Sequence, residues 1–438
     1  MMASLLLDLL AILQALLLPA QLSKYLSAFL LTLSIFFASG KVGSIVGDYY
    51  TQMGMMAVAV PSIITLLFHT RPQRHFILLV TLVTVAGYLV AASRNLATLA
   101  VSLEALSLSA AAIAFYPASK DKIRVLSTYL VFSVFAAVLL FSGLAFYFAG
   151  TNTFSLVEFT QTSTAIVGLT LILASIMVKV ALAPMHAWAV DVYSLSSTSA
   201  ALYLSNAVKA SAFVALGILA AGPLEMAMSV GYWQVLVPVM LLAVASIAVA
   251  AGGMALSSET KRLLAFSSIA HAGFATLALA APGPTAAAIL AYYALVYSLS
   301  NTIGFSAVLL LKKEGEASLS ELSLLYKRPL TALAFAIGII SLLGIPPTAG
   351  FNAKLFALFN LLTSTNLPNW YALAIALAAV VFTAATGYGY AKAIAAVAKR
   401  PEGEPEANAG LELMMWFMAF VVLLLYFYPA LPVPTALG

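Results

Sequence analysis

The sequence predicts an all-α, polytopic membrane protein, and three observations carry that prediction: composition, recurring long apolar runs, and the placement of basic residues. Of 438 residues, 63% are hydrophobic and 8% charged, far below the roughly 25% charged residues of a typical soluble domain. Apolar runs separated by short loops recur from end to end. A helix needs roughly 20 such residues to cross the hydrocarbon, about twice what a barrel strand needs. About fourteen spans are expected, near residues 3–20, 25–40, 53–70, 76–93, 95–117, 123–149, 165–188, 196–221, 231–256, 262–281, 284–311, 330–362, 369–397 and 411–432.

The basic residues orient these spans. Fifteen of the 20 Lys and Arg fall in odd-numbered loops: Lys24; Arg71 and Arg74; Lys120, Lys122 and Arg124; Lys261 and Arg262; Lys312, Lys313, Lys327 and Arg328; Lys392, Lys399 and Arg400. The even loops hold Lys41 and Arg94, and Lys179, Lys209 and Lys354 lie inside spans. The positive-inside rule then puts the odd loops in the cytoplasm and both termini outside the plasma membrane. A different span count would scramble this alternation. No basic segment precedes the first run and Asp8 falls within it, so the first span is expected to be retained and not cleaved as a signal peptide.

No soluble domain or linker interrupts the chain, which reads as one transmembrane domain over 1–438. The longest charged loop, which carries Glu314, Glu316 and Glu321, is too short to fold alone. A lysine beside a proline break occurs twice, at Lys179 with Pro184 and at Pro346, Pro347 and Lys354. These fall in the seventh and twelfth spans, which run in opposite directions. Matched broken helices of opposite orientation mark an inverted-topology repeat with its working site near the midplane. The expected five-helix repeats cover about 76–221 and 231–397, with helices in 1–70 and 411–432 peripheral to them.

The composition also excludes chemistry. Without cysteine the chain holds no disulfide, thiolate metal site or cysteine-held iron–sulfur cluster. It has no Gly-rich phosphate fingerprint, Walker sequence or metal-ligand cluster, so no cofactor is expected in this chain. The formal charge of +5 is spread over the loops and is not a nucleic-acid footprint.

Charge at membrane depth is costly and is kept mainly where ions or protons move. Pro184 leaves the Val180 carbonyl without its helical partner, and Pro346 and Pro347 do the same to Leu342 and Leu343. In hydrocarbon such groups must be answered by water, a side chain or another helix, so a wet pocket beside each lysine is expected. A lysine loses or takes up a proton as burial and a nearby carboxylate are traded against each other. Glu104, the acidic residue nearest a span centre, is the expected partner of Lys179. A fixed pair that only sets helix register is the plainer alternative. Lys209 lies too deep for its stem to reach the interface easily and is placed to receive a proton. His271, in a span that also offers Ser267 and Ser268, suits a relay between waters and equally a packing role. His186 and Asp191 read as a helix-end cap, and Tyr292, Tyr293 and Tyr297 as packing.

The stretches Leu-Glu-Ala-Leu-Ser-Leu at 103–108, Lys-Val-Ala-Leu-Ala-Pro-Met-His-Ala-Trp at 179–188 with Asp-Val-Tyr at 191–193, Lys-Ala-Ser-Ala-Phe at 209–213, Lys-Arg-Leu-Leu-Ala-Phe-Ser-Ser-Ile-Ala-His-Ala-Gly at 261–273 and Gly-Ile-Pro-Pro-Thr-Ala-Gly-Phe at 344–351 leading to Lys354 are together highly specific. Over about residues 95–395 the chain resembles the antiporter-like proton-translocating subunits of respiratory complex I, the multisubunit cation/proton antiporters and the membrane-bound hydrogenases. The resemblance implies a fourteen-helix fold and a lateral chain of protonatable groups, with Glu104 as the essential glutamate, Lys179 as the broken-helix lysine, Lys209 as the connecting lysine and Lys354 as the terminal residue. Lysine at 354 and the lack of a long lateral helix look most like the N-type subunit of complex I. Thr128 stands where many N-type sequences have lysine, which removes that position from the expected pathway. The implied function is proton translocation without redox chemistry in this chain, driven by quinone reduction in partner membrane-arm subunits. A subunit exchanging Na+ for protons, and a scaffold that only completes the membrane arm, are the alternatives.

Overall fold

The computed structural model describes the whole chain except residues 70–72, 116–120, 161, 313, 316, 402–407 and 430–438. Arg71, Lys120, Lys313 and Glu316, and the expected span ends at 70, 117 and 432, lie outside the described residues. Helices dominate because the apolar runs leave the backbone no partner but itself: in hydrocarbon each N–H and C=O must be satisfied within the segment.

The helices follow in chain order: α1 (Met2–Leu17), α2 (Ala20–Phe36), α3 (Tyr49–Phe68), α4 (Arg74–Ala92), α5 (Leu96–Phe115), α6 (Lys122–Thr151), α7 (Ser163–Lys179), α8 (Ala187–Leu195), α9 (Thr198–Ser229), α10 (Leu236–Leu256), α11 (Thr260–Leu277), α12 (Pro284–Lys312), α13 (Pro329–Leu343), α14 (Ala349–Leu362), α15 (Asn369–Val397) and α16 (Ala409–Phe427). Ten of the described helices are long and apolar enough to cross a membrane. The shorter apolar ones are α1, α2, α7, α13 and α14. Side chains set several starts: Asp48 caps α3, Thr162 caps α7, Ser197 caps α9 and Asn408 caps α16, each giving an oxygen to an otherwise orphaned N–H.

Burial locates the core. The spanning windows of α9 and α12 are 100% buried and that of α11 is 94%, against 28% for α6 and 33% for α15 and α16. The first three therefore form the centre of the bundle and the others present apolar faces outward. α3, outside the expected repeats, also reaches this centre: Tyr50 donates to the Val214 carbonyl on α9 at 2.7 Å, and Ser298 on α12 donates to the Ala57 carbonyl at 2.6 Å.

Several local features depart from the sequence reading. The seventh expected span is broken where the proline predicts, ending as a helix at Lys179 and resuming at Ala187, but the eighth runs past its expected end at 221 to Ser229. A two-stranded hairpin, β1 (Gly40–Val42) and β2 (Ile45–Gly47), follows α2, too short to register as a pattern in sequence. Arg94 is not a loop charge, because it is buried and donates to both Asp48 oxygens at 3.1 Å. His186 gives no side-chain cap to α8. Asp191 instead meets Arg124 at 2.9 Å.

Between α12 and α13, a segment ending in a 3-10 helix (Leu319–Lys327) crosses the end of the bundle. It is fastened by Glu314, which lies 2.7 Å from His69 Nδ1 and accepts from the Ser199 hydroxyl at 2.6 Å and the Ser199 N–H at 3.1 Å. Burial alone would raise the Glu314 carboxyl. The His69 and Ser199 contacts outweigh burial and hold it below its ordinary value. A depressed folded value means the fastening is present through neutral and weakly acidic pH, and is lost as pH falls below the usual glutamate value of about 4.3. Limited proteolysis over residues 317–327 is expected to accelerate only below that range, and Glu314→Gln to show fast cleavage at neutral pH.

α6 and α7 approach through Gly143 and Gly168, where a side chain at 168 would run into the backbone of Tyr147 and Gly143. Gly168→Val is expected to destabilise by about 1–3 kcal/mol through overpacking, read as a lower unfolding temperature in detergent.

Candidate functional site

The site begins where α7 stops. Leu182 N–H bonds to the Met177 carbonyl and Ala181 N–H to the Val178 carbonyl, both at 3.0 Å, with Ala181 left-handed at φ +60. This is a Schellman ending built without its usual glycine. The indole of Trp188 answers the Val178 carbonyl at 3.1 Å, and the Ser246 hydroxyl answers the Ala183 N–H at 2.8 Å. The break places Lys179 on the last turn of α7, facing the middle of α5. Its Nζ lies 2.8 Å from Glu104 Oε1 and 2.6 Å from Ser107 Oγ, so the expected pair forms and gains a hydroxyl one turn further along α5. A cavity of about 20 Å³ opens beside it, lined in part by Ser107, Tyr129, Ser133, Lys179 and Trp188. That is room for one water.

Lys209 follows a π-helical turn of α9, Leu204–Val208, a local widening that often accompanies a functional position. It is 1% exposed, so its stem does not reach an interface. Its Nζ donates to both the carbonyl and the hydroxyl of Ser268 on α11 at 3.0 Å, and lies 5.9 Å from the centre of the Tyr193 ring.

His271 sits one turn after Ser268 on the same helix. Its Nδ1 is 2.9 Å from the Tyr293 hydroxyl on α12, and its Nε2 has no partner among the described residues. It lies within electrostatic reach of both Lys209 and Lys354. A second cavity of about 10 Å³, lined in part by His271, Tyr293, Tyr297, Ser341 and Leu342, adjoins it. Tyr293 is therefore a hydrogen-bonding partner of the histidine, which the sequence reading of packing did not foresee.

Lys354, on α14, reaches back across the second break. Gly344, at φ +85, ends α13. Lys354 Nζ donates to the carbonyls of Leu342 and Leu343, each at 2.8 Å. These are the two carbonyls that Pro346 and Pro347 were expected to orphan. A side chain added at Gly344 would press on the lysine stem, so the left-handed turn and the lysine's path fit one another. Its Nζ also lies 5.2 Å from the Phe274 ring centre on α11.

The five predicted residues fall in three settings: Glu104 and Lys179 as an ion pair, Lys209 bonded to Ser268 one turn before His271 on α11, and Lys354 seated on the broken end of α13. The pair's side chains are 7% and 14% exposed. Neither Lys209 nor Lys354 meets a carboxylate among the described residues; the first amine is held by a carbonyl and a hydroxyl, the second by two carbonyls. Between Lys179 and Lys209 stand Trp188 and Tyr193, packed edge to face with ring centres 5.8 Å apart. Sequence reasoning missed Ser107, Trp188, Ser246 and Tyr293, because a lone serine or aromatic in an apolar run gives no signal until its neighbour across the bundle is known.

The family described as NADH:quinone oxidoreductase/Mrp antiporter, TM, matches residues 93–383. NADH-quinone oxidoreductase subunit 14 of Thermus thermophilus is 34% identical over 333 residues, covering 75% of this chain and 72% of that protein. NADH-quinone oxidoreductase subunit N of Deinococcus radiodurans is 33% identical, covering 62% of this chain and 56% of that protein. The match spans about half of another such relative, subunit N 2 of Solidesulfovibrio magneticus. Among solved structures, respiratory complex I from Thermus thermophilus with bound aureothin contains a chain superposing at TM-score 0.85 with 28% identity, covering 100% of this chain and 98% of that one. The Mrp complex from Dietzia sp. superposes at 0.81 with 18% identity, covering 98% and 94%, which speaks to the fold alone.

Removing the Lys354 ammonium should expose the second break. Lys354→Met is expected to leave two buried carbonyls unanswered, at about 1–3 kcal/mol each. Hydrogen–deuterium exchange should rise in residues 340–350 and leave 96–115 unchanged. Unaltered exchange would mean that the break is satisfied without the lysine.

Proposed function

This chain belongs to the NADH:quinone oxidoreductase/Mrp antiporter transmembrane family, and from that membership we propose that it moves protons through its buried lysines as a membrane-arm subunit of a complex I-like assembly. The observation that carries the reading is the Lys179–Glu104 pair, 2.8 Å apart at the end of an interrupted helix beside a water-sized cavity. Identity to relatives named subunit N or 14 supports the N-type over a cation/proton antiporter subunit, which remains the second reading. The chain does no redox work in this proposal. Partner subunits reduce quinone and drive it.

In this reading the shorter helices complete fourteen spans, α7 with α8 and α13 with α14 serving as the broken seventh and twelfth. Residues 76–221 and 231–397 form the inverted repeats, and both termini face outward. The burial of Arg94 in an ion pair supports that orientation, since it removes one of the two basic residues from the even loops.

The physics of the step is a change of distance. Two unit charges about 4 Å apart attract by about 4 kcal/mol at an effective dielectric of 20. Doubling the separation returns about 2 kcal/mol, close to the roughly 2.3 kcal/mol needed to move one charge through 100 mV. An opening of α7 against α5 by a few ångströms therefore has the right size to eject the Lys179 proton. Lys209 takes it up by way of Ser107 and cavity water, with Ser268 and the free Nε2 face of His271 leading on to Lys354. A neutral imidazole accepts on one nitrogen and donates on the other, which fits the position of His271 between two amines.

Lys179→Ala is expected to abolish proton transport by this subunit in sealed vesicles while the assembly still co-purifies, and Glu104→Ala to weaken it strongly. Full transport by the Lys179 variant would remove the central role assigned to it. Dependence of transport on Na+ in the unaltered assembly would favour the antiporter reading.

A further inference from the structure

Lys209 is aimed by a distortion of its own helix, and that distortion is held from a neighbouring one. The turn Leu204–Val208 of α9 is π-helical, and Lys209 is the next residue. In a regular α-helix the Lys209 N–H would bond to the carbonyl of Ser205, four residues back. Here it turns to the Asn206 carbonyl, and the Ser205 carbonyl accepts the Tyr297 hydroxyl of α12 at 2.8 Å. The widened turn also ties down its own amide: Asn206 Nδ2 donates to the Leu202 carbonyl at 2.7 Å and to Ser205 Oγ at 3.2 Å.

Asn301 of α12 closes this group from across the helix interface. Its Nδ2 donates to Asn206 Oδ1 at 3.0 Å, to the Tyr297 hydroxyl at 3.1 Å and to Ser205 Oγ at 3.4 Å. Ser205, Asn206 and Asn301 are 0% exposed and Tyr297 is 1% exposed, so bulk water does not compete for these bonds. Tyr297 and Asn301, four residues apart, share one face of α12, and both reach the same turn of α9. An ordinary fastening of α12 looks different: Ser298 gives a single bond to the Ala57 carbonyl on α3. An amide side chain does not titrate, so Asn301 is not itself a proton carrier. What its bonds hold is the shape of the turn.

That shape decides where Lys209 points. An α-helix advances by about 100° per residue, so a turn that gave up its extra residue would swing the side chains beyond it by about that angle. The Lys209 ammonium has no carboxylate among the described residues to draw it back, and is seated only on the carbonyl and hydroxyl of Ser268, each at 3.0 Å. We infer that Asn301 is a positioning residue for Lys209: with Asn206 and Tyr297 it clamps the widened turn of α9 and thereby aims the ammonium at Ser268. This deepens the proton-conducting reading given above and rests on it.

The test uses the whole assembly in sealed vesicles. Asn301→Leu, which keeps the bulk and removes the donor, is expected to slow proton transport on the order of a hundredfold, the scale of a misplacement by about an ångström. Hydrogen–deuterium exchange should rise in residues 204–210. Asn301→Gln, which keeps an amide donor, should recover most of the transport, and Ser298→Ala, which removes the ordinary fastening, should transport normally. Ser268→Ala should slow transport alone but add nothing to Asn301→Leu, because an ammonium already off Ser268 gains nothing from its hydroxyl. Losses that multiply in the double variant would mark two independent packing defects and overturn the role. So would normal transport by Asn301→Leu while Lys179→Ala is dead, an outcome that leaves the lysine reading standing. If Lys179→Ala transports normally, that reading fails by itself and exchange in residues 204–210 decides the clamp: a rise in Asn301→Leu supports it and no change overturns it. Should Asn301→Leu fail to assemble, Asn206→Ala opens the same clamp from α9 and is judged by the same measures.

Discussion

Every backbone carbonyl at membrane depth needs a donor, and two of the places where proline withholds one, those beside Lys179 and Lys354, organise this molecule. At the second break Lys354 supplies that donor twice, to Leu342 and Leu343. A cation and an interrupted helix thereby solve one another's problem, since the charge needs oxygens and the oxygens need hydrogens. At the first break the backbone is answered by neutral groups, Trp188 and Ser246, which leaves the Lys179 ammonium to Glu104 and Ser107. The two breaks thus differ in kind: one amine is held by an acid and the other by the backbone.

A pair with a carboxylate responds to distance, because Coulomb energy changes by kilocalories over a few ångströms. An ammonium seated on fixed carbonyls responds to how those carbonyls are presented, and here they belong to the last turn of α13. His271 stands beside that turn and close to Tyr293. Any motion of α13 against α11 therefore alters what both His271 and Lys354 meet. α9, α11 and α12 are the most enclosed of the candidate spanning helices, so Lys209 and His271, which two of them carry, are shielded from lipid.

Much of this was legible in the residues. Proline beside lysine announces a helix break with a charge next to it, and Glu104 stands out because an acid in an apolar run has so few reasons to be there. The Leu342 and Leu343 carbonyls were identifiable from the proline positions alone, since the missing N–H fixes which carbonyl loses its partner. Their partner was not identifiable: only the return of α14 against α13 brings Lys354 to them. Tyr293 read as packing because its hydroxyl gains a partner only when α12 lies against α11.

The sequence by itself determined that the chain crosses a membrane many times, where its helices are interrupted, and which ionisable groups are carried into the apolar interior. Those are properties of single segments, set by hydrophobic length and by proline's missing hydrogen. The tertiary structure decided which oxygen each buried amine holds and where cavities large enough for water remain. Those are properties of pairs of segments, and in a bundle whose helices are uniformly apolar the pairing is set by close packing and by hydrogen bonds between helices, which no local pattern records.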